Sequence, residues 1–161
     1  MAASLELSDV MLADAVVIGE ITDYQIIEDQ LQRERRQRYL DSLTPEQRDA
    51  HVEQSSFISD YARFNIEVST VLRGDVEGVI GATWDNSTYG EPASLPTGPY
   101  LIALRRAGTP LPPLRGPSAT ILPDPEPGLW SILQAPCAPP FLFESTGATA
   151  SAIQVILSVE E

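Results

Sequence analysis

The chain has no lysine: all ten of its basic residues are arginines, set against 23 acidic residues, for a formal net charge of −13. A surface this acidic repels phosphate backbones and anionic lipid, which argues against a general nucleic-acid binder. Histidine and cysteine are almost missing too, with His51 and Cys137 the one example of each. A single cysteine excludes an internal disulfide framework and fits either redox compartment. One nitrogen and one sulfur ligand fall short of the three or four that a zinc site takes. Apolar runs such as Val16-Val17-Ile18 are far shorter than the roughly 20 residues a membrane-crossing helix needs, so no membrane insertion is expected. No glycine-rich phosphate loop, serine nucleophile elbow or spaced histidine–carboxylate motif is present. No catalytic, cofactor-binding or metal-ligating residue is therefore assigned, and no cofactor is expected.

What is present suffices for one globular unit over 1–161. The length suits one domain, and 43% hydrophobic residues support a core. "ADAVVIGEITDYQII" (13–27) reads as a first strand, with Gly19 a bend or bulge. Residues 28–60 then turn polar and form a helical insertion expected to project from the fold and to pack through Leu40, Phe57 and Tyr61. Within it Thr44, Pro45 and Gln47 make a helix start, as N-cap, first-turn proline and capping-box partner. "ARFNIEVSTVL" alternates strictly, with Ala62, Phe64, Ile66, Val68, Thr70 and Leu72 on one face, and reads as a half-buried strand.

Directly after it comes Arg73-Gly74-Asp75, the tripeptide of many adhesive proteins. It stands where "VIGATW" must reverse on the preceding strand, and Gly74 suits the positive φ of a turn, so a connection is the simpler reading. "PYLIALRRA" and "LWSILQA" read as the fourth and fifth strands, separated by a proline-dense loop over 107–128. Residues 146–158 read as a closing helix capped by Thr146, with Ala152, Ile153, Ile156 and Leu157 at helical spacing. Helix is expected mainly over 40–60 and 146–158. The expected fold is mainly β: a five-stranded OB-like barrel with a helical insertion between strands 1 and 2 and a C-terminal helix.

"ADAVVIGEIT", "FNIEVSTVLRGDV", "GPYLIAL" and "ILQAPCAPPF", in that order, resemble bacterial members of the netrin-module and tissue-inhibitor-of-metalloproteinases superfamily. The resemblance covers roughly 13–30 and 62–145, as hydrophobic and turn positions rather than a catalytic signature. It implies an OB-type barrel and a non-catalytic binding role with another protein as partner. The animal inhibitors chelate zinc through an N-terminal cysteine and carry several disulfides. Here Cys137 is alone, so no inhibitory residue carries over. The expected compartment is periplasmic or secreted, with the cytoplasm as the alternative; "MAASLELSD" reads as a native start or as one left by Ala-x-Ala cleavage.

Other features carry two readings each. Cys137 in "APCAPPF" is a buried structural thiol or the centre of a small thiol-dependent enzyme, and no base is placed beside it. Asp85, Asn86, Ser87 and Glu91, with Asp124 and Glu126, are solvated acidic loops or calcium ligands without EF-hand spacing. Arg33, Arg35, Arg36 and Arg38 form a solvated helix face or an anion-attracting patch. Trp84, Tyr89 and Tyr100 are core and loop packing or a stacking platform. A structural module of an exported assembly is a third functional class.

Overall fold

The computed structural model describes residues 5–28, 30–49, 60–85, 92–113, 124–136 and 138–159. Its elements are a 3-10 helix (Leu7–Leu12), β1 (Ala15–Ile27), α1 (Gln30–Asp41), α2 (Pro45–Asp49), β2 (Tyr61–Arg73), β3 (Val79–Asp85), β4 (Pro99–Arg105), β5 (Trp130–Ile132), β6 (Leu142–Glu144) and α3 (Ala148–Val159).

The two uninterrupted apolar runs, around Val16 and over Tyr100–Leu104, are strands buried on both faces. Ala15, Val17, Tyr100, Ile102 and Leu104 point into the barrel beside Phe64, Ile66 and Trp84. Val16, Leu101 and Ala103 point the other way, into a second layer with Val10, Phe141 and Ile153. That layer seals one side of the barrel beneath the 3-10 helix and α3. A strand covered on both sides needs no polar face, which is why neither run alternates.

β1 pairs antiparallel with both β2 and β4, β2 with β3, and β4 with β5. β3 and β5 run parallel through Ala82↔Trp130 and Thr83↔Ser131, so the circuit β1-β2-β3-β5-β4-β1 closes. This is the expected five-stranded OB-like barrel, with helix between β1 and β2 and a helix at the C-terminal end. A short sixth strand, β6, continues the edge of β4 beyond β5 through Leu101↔Phe143 and Ile102↔Leu142. Three residues are too few to alternate visibly, so no local pattern announces this strand.

Other details depart from the sequence reading. Thr70 is exposed, because β2 carries an extra residue at Ser69 and another at Leu72, and each reverses the side-chain alternation. The first of these shifts falls beside Gly19, where a bend was expected, although the extra residue belongs to β2. Helix begins at Gln30 rather than near 40. α1 has no apolar stripe to announce it, only good helix formers. On α3 the buried residues are Ala150 and Ile153, while Ala152 is exposed. Its first turn closes through Ser151 N–H donating to the Gly147 carbonyl at 3.2 Å, so Gly147 and not Thr146 takes the cap position. The Thr44–Gln47 capping box is present as expected, at 3.0 and 3.3 Å.

Gly74 adopts φ +86° in the β2–β3 connection, and a Cβ there would lie 2.5 Å from the Asp14 carbonyl oxygen. Turn geometry and close backbone approach thus both account for the glycine of the Arg-Gly-Asp tripeptide.

Candidate binding face

The register of β1, β2 and β3 sets three cross-strand rows on the outside of the barrel: Glu20–Glu67–Val79, Thr22–Asn65–Gly81 and Gln25–Arg63–Thr83. Between Thr22 and Gln25 the β1 strand holds one extra residue, and Asp23 there adopts φ +53°, the one positive φ outside glycine among the described residues. The bulge brings Asp23 to the outer face, where Asn65 Nδ2 donates to its Oδ2 at 3.0 Å.

Opposite this wall stands the segment Asp124–Leu129, the return from the proline-dense loop. Glu126 accepts from the Tyr61 hydroxyl at 2.8 Å and from Arg63 at 3.2 Å to each carboxylate oxygen. Leu129 lies over Gly81, where an added Cβ would meet its Cδ2 at 2.9 Å. Between the walls runs an open groove of about 500 Å³ with Arg63, Asn65 and Gly81 in its floor. It lies across the β2–β3 face, between the Asp23 bulge of β1 and the return of the β4–β5 connection, and the β2–β3 face is one that OB barrels use for ligands.

Two ion pairs hold the flanking connections in place. Arg33 of α1 donates bidentately to Asp60 at 2.8 Å and 2.8 Å. Arg105, at the end of β4 and 5% exposed, pairs with Asp124, which also accepts from Ser131 Oγ at 3.4 Å. The Arg105 Nε is buried with no hydrogen-bond partner among the described residues, a cost set against the strength of the pair.

Asp14 ties the start of the same loop by accepting from the Arg106 backbone N–H and the Thr109 hydroxyl, both at 2.7 Å. Burial pushes its carboxyl up, but these two hydrogen bonds and the charges of Arg106 and Arg105 outweigh that and hold it below its ordinary value of 3.8. Beside this anchor Arg106 stacks on Trp130, its guanidinium carbon 4.2 Å from the ring centroid. The pair borders a second hollow of about 200 Å³ on the far side of Leu129.

Of the residues singled out in the sequence, Glu126 lines the groove and the other described ones do not. Asp124 and Glu126, read from the sequence as solvated acidic loops or calcium ligands, are half-buried and ion-paired with Arg105 and Arg63. Trp84 and Tyr100 are in the barrel core. Arg33 is held by Asp60, while Arg35 and Arg38 are exposed on α1. His51, Phe57, Asn86, Ser87, Tyr89, Glu91 and Cys137 lie outside the described residues. Among the described residues no three His, Cys, Asp or Glu gather as metal ligands, and no helix is long and apolar enough to cross a membrane.

Sequence reasoning missed the groove itself. The outward positions Arg63, Asn65 and Glu67 were legible from the alternation, but nothing local announced that Asp23 and Glu126 would wall them in. Comparison with protein-family models, curated proteins and solved structures gave no match to this chain.

Proposed function

We propose that this chain is a non-catalytic binding module that engages another protein through the outward face of β1, β2 and β3. The observation that carries the reading is the groove of about 500 Å³ whose polar walls are already paired. Preformed side chains lose little entropy when a ligand docks, which favours binding. The charge of −13 disfavours a nucleic acid in the groove. A polypeptide suits a floor that alternates the polar Asn65 and Arg63 with the bare Gly81. The order of strands, the closing helix and the turn at Gly74 are in keeping with the proposed kinship to the netrin-module and metalloproteinase-inhibitor superfamily, and periplasmic or secreted placement belongs to the same proposal.

Site-specific photocrosslinking tests the reading. A photoreactive residue at Asn65, in a lysate of the source organism, is expected to give a discrete protein adduct. The same probe at Val155, exposed on α3, is expected to give none. Equal labelling from both positions, or none from Asn65, overturns the proposal.

A further inference from the structure

The hollow beside the groove holds a feature that the proposed face does not yet use. Its lining is Arg106, Ala107, Pro127, Gly128, Leu129 and Trp130, with Arg106 the one charged member. The guanidinium carbon lies over the Trp130 ring, 4.2 Å from its centroid, and the residue is exposed. Its neighbour Asp14 takes hydrogen bonds from the Arg106 backbone N–H and the Thr109 hydroxyl, not from the guanidinium. Every other arginine that borders the face is spent: Arg63 on Glu126 and Arg105 on Asp124. Arg106 forms no salt bridge among the described residues, although the Asp14 carboxylate lies near enough to feel its charge.

Stacking uses the face of a guanidinium and leaves the N–H donors at its edge directed outward in one plane. A fork fixed in this way is pre-organised for a planar carboxylate, which accepts two parallel hydrogen bonds. Asp14 offsets part of the Arg106 charge, so the site balances at most one added negative charge, whereas a phosphate dianion calls for more. The rest of the lining is apolar or backbone and suits the stem of an acidic side chain. Leu129 forms a wall of both hollow and groove, so one extended segment crossing it reaches both.

We propose that Arg106, held against Trp130, is a carboxylate-binding subsite that selects an acidic residue in the polypeptide crossing the β1–β3 face. The subsite rests on the reading of that face, and the experiment separates the two. The ¹⁵N-labelled full chain is titrated with acetyl-Ala-Ala-Glu-Ala-Ala-amide, with its Gln counterpart, and with inorganic phosphate. The Glu peptide is expected to move the Arg106 Nε–H and Trp130 Nε1–H signals with affinity in the millimolar range, about tenfold tighter than the Gln peptide. Arg106→Gln, which keeps the backbone N–H that Asp14 uses, is expected to remove that difference, and Arg106→Lys to restore only part of it.

Equal binding of the two peptides, undiminished binding by Arg106→Gln, tighter binding of phosphate, or no movement of either signal overturns the subsite. The backbone N–H signals of Asn65 and Gly81 report the groove independently. Movement there without Arg106 leaves the face standing and removes the subsite; movement at Arg106 alone does the reverse.

Discussion

Arg33 on α1 and Asp60 at the foot of β2 meet as a bidentate pair, both guanidinium NH groups 2.8 Å from the carboxylate oxygens, with Asp60 only 3% exposed. The pair links two residues at opposite ends of the β1–β2 connection and seats a helix that has no apolar stripe of its own. Breaking a buried pair from one side leaves the other charge uncompensated. Arg33 keeps Glu28 at 3.8 Å and some access to water, and both reduce the penalty. Asp60→Asn is expected to cost about 2 kcal/mol, half of the range for a fully buried pair. Urea denaturation gives the cost, and hydrogen exchange should quicken first in α1. Unchanged exchange there would mean that the pair does not seat the helix.

Arg105 and Asp124 provide a second case. Asp124→Asn strands a buried guanidinium and is expected to cost about 3 kcal/mol. The double substitution Arg105→Met with Asp124→Leu should cost less than the single one, because no charge is left behind. Denaturation midpoints of the three proteins decide it, and an additive result would contradict the coupling.

The lowered carboxyl of Asp14 fixes the sign of a pH dependence. Its folded value lies below 3.8, so the stability it lends is fully present above the unfolded value. That stability is lost as pH falls through the folded value. The gap in urea midpoint between the native protein and Asp14→Asn should be constant from pH 7 to about 5 and shrink below about 4. A gap that widens with acid would reverse the assignment.

At the β2–β3 connection, two substitutions separate turn from receptor motif. Gly74→Ala meets both a positive φ and the Asp14 carbonyl, and should cost about 2 kcal/mol or more. Asp75→Glu at its exposed neighbour should leave stability and any partner binding unchanged. Loss of specific cell adhesion with Asp75→Glu would restore the receptor reading.

The parts of this fold legible in the sequence are those in which local chemistry and period agree. Alternation from Ala62 to Ile66 marked the buried face of β2, and Thr44 with Gln47 marked the start of α2. Alternation failed at Thr70 because the bulges at Ser69 and Leu72 reverse it, and no residue type demands a bulge there. The walls of the groove were hidden for another reason. Arg63 finds Glu126, and Arg105 finds Asp124, only after the barrel closes and its proline-dense loop returns. Acidic residues in a chain of charge −13 look alike until their partners arrive.

The central claim concerns the face floored by Asn65, and filling the groove tests it most directly. Asn65→Trp places an indole in the open groove between Asp23 and Leu129, at the expense of the hydrogen bond to Asp23, while leaving the buried face of β2 untouched. Isothermal titration against the partner captured by crosslinking should show binding weakened at least about tenfold, the loss of a little over 1 kcal/mol of contact. The thermal midpoint should stay near that of the native protein. Undiminished affinity in the folded Asn65→Trp variant would place the binding surface elsewhere on the barrel.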